Sequence, residues 1–300
     1  MIEIVGLDKT FDKKGKPVHA VKNLTVSFKE GVTGLVGENG AGKSTLFRLI
    51  AGIIEKDDGE ILIDGCVNTT KEAKANLFFL PDEPYAPARY TVKEVANFYH
   101  IFYDMDMDKF KELLQKISLP EDRKISTFSK GMRRQLFLLI AFSMKCKNIL
   151  LDEAFDGLDP LVLDLIGEEI VKLTVDEKKT VILSSHNMSS IQKIADSIMV
   201  LYRGSLSEKE EKNDMGKEFV KYQLITQEPI KKEVLEGLGL IVVSLKKVGS
   251  ITTIVFLKTP KIEDIIRTVY SPTLMEQCPL ETSEIISLEL LLAKKGVLHE

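Results

Sequence analysis

Gly37-Glu38-Asn39-Gly40-Ala41-Gly42-Lys43-Ser44-Thr45 decides how this chain is read. It fits G-x-x-x-x-G-K-[ST]. It follows a short apolar run at residues 32–36 and precedes Leu46, Leu49 and Ile50 at helical spacing. The order is strand, loop, helix. Glycines let the backbone bend so that successive N–H groups point at phosphate oxygens. The helix N-terminus adds unpaired donors and a favourable dipole. In such a loop Lys43 reaches the β- and γ-phosphates, and the Ser44 hydroxyl ligates Mg²⁺. At average residue usage a chain of this length matches the pattern by chance about once in a hundred. The glycines are spaced G-x-x-G-x-G, which disfavours a dinucleotide site.

Outward from the loop, residues 1–207 alternate short β-rich runs with helical patterns, which predicts α/β units on a parallel sheet. Strands are expected at 32–36, 59–65, 148–152 and 180–184, with helices at 44–51 and 161–174. Residues 92–146 lose the strand signals and read as a helical insertion. Residues 205–216 enclose the charged run Glu208-Lys209-Glu210-Glu211-Lys212-Asn213-Asp214, read as a linker. Beyond it the pattern is strand 219–226, helix 230–238, strands 240–246 and 251–257, helix 261–269, a weak strand at 275–280 and a last helix at 284–294. That is a small α+β domain of ferredoxin-like βαββαβ order plus a tail helix.

The chain has 300 residues, 44% hydrophobic and 29% charged, with 41 basic against 45 acidic side chains and a net charge of −4. Residues 215–300 hold 11 of each sign, so the excess acid lies in residues 1–214. This balance argues against a nucleic-acid partner, which needs clustered Lys and Arg. The longest nearly unbroken apolar run, residues 136–144, is about half of what crosses a bilayer. The first residues lack a signal-peptide pattern. Cys66, Cys146 and Cys278 are odd in number and widely spaced, as expected of a reducing compartment.

Lys147-Asn148-Ile149-Leu150-Leu151-Asp152-Glu153 is an apolar run ending in two carboxylates. Adjacent strand residues point to opposite sides, so the two acids can do different work. Asp152 would hold the Mg²⁺ shell and Glu153 would polarise an attacking water. Gly157-Leu158-Asp159-Pro160 follows, where helix capping by Asp159 is a sufficient explanation of that residue. Residues 180–185 form a strand pattern ending in His186, at the sheet end where ligands of open α/β folds bind. Phe128-Ser129-Lys130-Gly131-Met132-Arg133-Arg134-Gln135 opens the helix before the acidic strand, with Ser129 as N-cap. A capped N-terminus with a serine hydroxyl offers a second anion site. Read alone, it is a plain amphipathic helix on which Lys130, Arg133 and Arg134 are solvated charges.

In order and spacing, these segments resemble the ATP-binding subunit of an ABC transporter, over about residues 1–210. Gly37–Thr45 resembles its Walker A motif and Ser129-Lys130-Gly131-Met132 its signature in an exporter-type variant. Ile149–Glu153 resembles Walker B with the catalytic glutamate, Gly157–Asp159 the D-loop, His186 the switch histidine, and Phe11 the aromatic that stacks on adenine. The resemblance implies a P-loop ATPase core at 1–210 with a helical subdomain at about 86–146 facing a membrane permease. Residues 215–300, which carry no chemical motif, read as an accessory domain that either packs against and stabilises the dimer or makes a regulatory contact aligning the two subunits. It implies ATP and Mg²⁺ as cofactors. Gly37 to Thr45 would bind the nucleotide, with Lys43, Glu153 and His186 catalytic. Two such subunits would pair head-to-tail, with each ATP between Walker A of one and the signature of the other. With no membrane span here, the permease would be another chain, and this one would work at the cytoplasmic face of the membrane.

Two features depart from the family pattern. Phe79-Leu80-Pro81-Asp82-Glu83-Pro84 carries Asp82 where the family commonly has Gln. A carboxylate there is a harder Mg²⁺ ligand and adds negative charge, so Asp82 either makes activity more metal-dependent, directly or through water, or only mediates a loop contact. Lys130 and Met132 replace the usual Gly and Gln; Lys130 would face the γ-phosphate across the dimer or point to solvent. The exporter-like signature and the C-terminal extension favour export of drugs, lantibiotics, other peptides or ions. The alternatives are a soluble ABC ATPase on ribosomes or DNA and a regulatory module without turnover. Single-half architecture argues against the first, and Glu153 with His186 against the second. Asp104-Met105-Asp106-Met107-Asp108 starts like an EF-hand loop, but Lys109 and Gln115 stand where Gly and Glu are needed. His19, His100 and His299 lack ligand-spaced partners.

Overall fold

The computed structural model describes residues 1–13, 15–185, 188–206, 210–211 and 216–295. Its contacts divide the chain into two compact units, Met1–Lys209 and Glu210–Glu300.

The first unit opens with the long strands β1 (Ile2–Lys13) and β2 (Lys16–Phe28), then β3 (Gly31–Val36) and helix α1 (Lys43–Ile50). β4 (Asp58–Ile63), β5 (Cys66–Val67), α2 (Lys71–Ala75) and β6 (Leu77–Leu80) follow. Next come α3 (Val92–Phe102), α4 (Met107–Lys116), a 3₁₀ turn at Ile125–Thr127 and α5 (Lys130–Phe142). β7 (Asn148–Leu151), α6 (Pro160–Val175), β8 (Thr180–Ser184), α7 (Met188–Ile194), β9 (Ser197–Tyr202) and β10 (Ser205–Leu206) complete the unit.

Two sheets result. The expected parallel sheet runs β10-β9-β3-β8-β7-β6, parallel except for the β9–β10 hairpin. The second sheet, β2-β1-β4-β5, is antiparallel and not signalled by the α/β alternation. Register shifts between Ile4 and Leu7, and again up to Thr10, interrupt the period-two pattern that would have announced it. A common core joins the sheets through α1: Phe47, Leu49 and Ile50 pack with Ile2, Ile4, Phe28, Ile61 and Ile63 of one sheet and Leu35, Leu150 and Ile182 of the other. Each such side chain contributes about 1.5–3 kcal/mol by leaving water. The hairpin at Ser205–Leu206 claims the first two residues of the expected linker, most of whose remainder lies outside the described residues.

The insertion is helical, as its pattern indicated. Thr91 and Glu94 form a capping box at the start of α3. Asp106, within the rejected EF-hand match, accepts from the Asp108 and Lys109 amides as N-cap of α4. α5 buries every residue from Arg134 to Phe142, which explains the longest apolar run as a helix enclosed by protein. Among the described residues no helix is long and apolar enough to cross a membrane.

In the second unit the strands Phe219–Ile225, Val242–Val248, Ile251–Leu257 and Leu274–Cys278 form one antiparallel sheet in the order second-third-first-fourth. With helices Lys232–Gly237 and Ile262–Tyr270 between them, this is the ferredoxin-like arrangement. Val220, Tyr222, Leu224, Ile254, Phe256, Leu235 and Ile266 form its core. The tail helix Thr282–Lys295 adds the Lys221–Glu284 ion pair, at 2.9 Å.

Candidate functional site

The C-terminal ends of β3, β8 and β7 are neighbours in the parallel sheet, so whatever follows those strands is gathered at one edge. After β3 comes the Gly-rich loop. Gly42 has φ +112, and a Cβ there would stand 2.2 Å from the Ala20 carbonyl oxygen of β2; one at Gly37 would stand 2.4 Å from that of Leu201. Only glycine allows the loop to pass this close to its neighbours. Lys43 is 6% exposed and its Nζ donates to the carbonyls of Gly37 at 2.7 Å and Glu38 at 3.3 Å. Burial lowers its pKa while the charges of Glu153 and Asp152 oppose that shift, so lysine and both acids share one electrostatic neighbourhood. Ser44, in the first turn of α1, is half-buried.

After β7 comes the acidic pair. Asp152 is 2% exposed, and its Oδ1 accepts from Ser184 Oγ at 2.7 Å. The strand ends at Leu151, and Glu153 has φ +48, in the left-handed region. Asp152 and Glu153 therefore lie in a turn beyond the strand, so strand alternation, the basis of the expectation, does not govern them. The Ser184 hydroxyl also accepts from the Glu153 amide at 2.9 Å. Sequence reasoning treated Ser184 only as part of a strand, although it precedes His186 by two residues. His186 itself lies outside the described residues.

The segments at 129–132 and 157–159, expected from the resemblance to be signature and D-loop, meet. Ser129 caps α5 by accepting from the Met132 amide at 3.1 Å. Asp159 caps α6 by accepting from Val162 N at 3.0 Å, with Pro160 opening the helix. A Cβ on Gly131 would stand 2.3 Å from the Gly157 carbonyl oxygen. Lys130 pairs with Asp156 of its own chain, a bond that raises the lysine pKa. Asn39 and Gly40 are exposed at the loop crest, where Gly40 has φ +82. Phe11, 40% exposed, pairs with Val18 in β1–β2 and carries Lys9 Nζ 5.4 Å from its ring centroid.

Asp82 is exposed in the loop after β6. Among the described residues no three His, Cys, Asp or Glu side chains are grouped to hold a metal. Arg134 is not the solvated charge that residue type suggests. It is 5% exposed and donates to the carbonyls of Pro81, Asp82, Asp152 and Ala154. A signal was available, since Arg134 shares a helical face with the buried Phe137, Leu138 and Ala141. A cavity of about 580 Å³ opens beside it, lined among others by Asp82, Glu83, Tyr85, Lys130, Arg133 and Asp156.

Comparison with known proteins gives this geometry its context. The family model described as ABC transporter matches residues 21–156. The ABC transporter ATP-binding protein NatA of Bacillus subtilis (strain 168) is 32% identical over 235 residues, covering 72% of this chain and 95% of that protein. The chain belongs to the ABC transporter ATP-binding proteins. It is accordingly an ATPase subunit of this family. The linearmycin resistance ATP-binding protein LnrL of the same organism is 31% identical over 215 residues, covering 69% of this chain and 68% of that protein. The fold is shared with the dimeric structure of MJ0796, a bacterial ABC transporter cassette, at a TM-score of 0.64 and 22% identity, covering 70% of this chain and 98% of that one. In this ABC subunit the Gly-rich loop, the acidic turn and the capped helix α5 all belong to the first unit.

Proposed function

We propose that this ABC subunit binds Mg²⁺-ATP, pairs head-to-tail with a second ATPase subunit, and drives a separate membrane permease, most plainly for export. The observation that carries this reading is the convergence of Lys43, Asp152 and Glu153 at one sheet edge. Gly37 to Thr45 cradles the phosphates, and Phe11 stacks on the adenine. The residues present suit a magnesium ion: Ser44 supplies a hydroxyl in the first turn after the loop, and Asp152 a buried carboxylate fixed by Ser184. When bound, the ion neutralises charge developing on the transferred phosphoryl group. Glu153 takes the proton of the attacking water. His186 lies in sequence just beyond β8 and is assigned to the γ-phosphate side.

Ser129, Lys130, Gly131 and Met132 face the partner's nucleotide, with Asp159 beside the same junction. A split site of this kind is complete only on closure, which links hydrolysis to motion. The cleft beside Tyr85 and Arg133 is the docking place assigned to the permease, which would hold this subunit at the cytoplasmic face of the membrane. Export is supported by the name of LnrL, a resistance protein, and by the signature variant. Asp82 reaches the metal directly or through water.

The deciding experiment is Glu153→Gln. It is expected to abolish hydrolysis, retain ATP and trap an ATP-bound dimer by gel filtration. Turnover equal to wild type would reject Glu153 as the base.

A further inference from the structure

We propose that Arg134 is a positioning residue that fixes the turn carrying Glu153 to the signature helix α5. The guanidinium Nη1 donates to the Pro81 carbonyl at 3.0 Å and to that of Asp82 at 3.3 Å. Nε donates to the Ala154 carbonyl at 3.3 Å, and Nη2 to that of Asp152. One side chain thus holds four carbonyls on two segments, which its planar fork of five N–H donors permits and a lysine's point charge does not.

The two carbonyls on the catalytic side flank Glu153. Its left-handed φ of +48 is uncommon for a residue with a Cβ and persists only where the surroundings enforce it. The amides of the same turn are held from the other side. Asp152 N donates to Leu80 O at 2.9 Å, Glu153 N to Ser184 Oγ at 2.9 Å, and Ala154 N to Ser184 O at 2.8 Å. The turn is therefore gripped by β8 and β6 through its amides and by Arg134 through its carbonyls. Only the second grip comes from α5.

α5 starts at the Ser129 cap, and Arg134 lies about one and a half turns further along the same helix. A helix moves as a rigid element, so a displacement of Ser129 and Gly131 is carried to the carbonyls around Glu153 and to the 81–82 loop together. Burying the cation is unfavourable for its charged form, and burial lowers its pKa against the opposing carboxylates of Asp82, Asp152, Asp156 and Glu153. No carboxylate oxygen is among the four acceptors above, as suits a group placed to hold backbone rather than to pair with one acid. What the grip serves rests on the proposed ATPase role of Glu153; the grip itself does not.

The test uses the full chain with Arg134→Gln and Arg134→Lys. By hydrogen exchange, peptides covering 80–84 and 150–156 are expected to exchange about tenfold faster in Arg134→Gln, with α1 peptides unchanged. In ATP turnover, kcat is expected to fall about 10- to 100-fold, as for loss of a group that orients a functional ligand, with KM for ATP held within about twofold. Arg134→Lys should lie between wild type and Arg134→Gln in both readouts. Unchanged exchange at both segments would overturn the proposal, as would faster exchange throughout the unit with kcat and ATP binding lost together. Should wild type turn over no ATP, the ATPase reading would fail while the exchange result still decides the grip.

Discussion

Ser184→Ala removes one hydroxyl at a fully buried position and breaks two hydrogen bonds at once. The Oγ donates to Asp152 Oδ1 at 2.7 Å and accepts from Glu153 N at 2.9 Å. A hydrogen bond to a charged acceptor is worth about 1.5–3 kcal/mol, and a buried amide left unpaired costs about 1–3 kcal/mol. Local relaxation of the turn recovers part of the sum, so the expected destabilisation is about 3 kcal/mol. For a unit of this size that is a fall of roughly 6–12 °C in Tm. The assay is urea unfolding of the full chain, with the transition of the first unit followed for Ser184→Ala, Asp152→Ala and the double variant. The cycle should return a coupling of about 1–3 kcal/mol between Ser184 and Asp152. A loss below about 0.5 kcal/mol, or additive single effects, would refute the reasoning.

Three further outcomes are expected. Gly131→Ala puts a methyl 2.3 Å from the Gly157 carbonyl oxygen, an overpacking that costs about 1–3 kcal/mol. In the Glu153→Gln background it should abolish the ATP-trapped dimer seen by gel filtration while leaving ATP binding to the monomer. Asp82→Gln should raise the Mg²⁺ concentration for half-maximal turnover by about threefold, because an amide is a softer and uncharged ligand; an unchanged metal titration would dismiss Asp82 from the metal shell. The α4–α6 contact should make the first unit acid-labile. Burial pushes Glu169 and Glu177 upward, but bonds from Lys116 and Lys172 to the first and from Lys109 and Lys179 to the second hold both carboxyls below the usual glutamate range. A depressed folded pKa gives stability that is complete above the unfolded value and lost as pH falls through the folded one. Urea stability should thus be flat from about pH 6 to 8 and decline below about pH 4, with a shallower decline in Glu169→Gln/Glu177→Gln.

Much of the site was legible because its chemistry needs particular residues at fixed offsets. The phosphate loop requires glycines where the backbone approaches Ala20 and Leu201, and the lysine follows them at a fixed offset that the sequence prints directly. The hairpin of the second unit was legible for a similar reason, since Gly249 and Ser250 interrupt two apolar runs. What escaped was conformational or depended on distant partners. Bulges concealed the β1–β2 pairing. The left-handed turn at Glu153 leaves no trace in a Glu that follows an apolar strand. Arg134 was read by residue type as solvated, because the four carbonyls that receive it come from segments 18 to 53 residues away.

Glu153 also has an evolutionary consequence. At φ +48 the backbone favours glycine or asparagine, whereas the proposed chemistry demands glutamate. Selection for turnover and the comfort of the main chain therefore pull this codon in opposite directions. A duplicated copy released from hydrolysis should drift toward Gly or Asn at 153 well before its phosphate loop decays. Such a substitution, met in a sister sequence, would record lost turnover in a protein that still binds nucleotide.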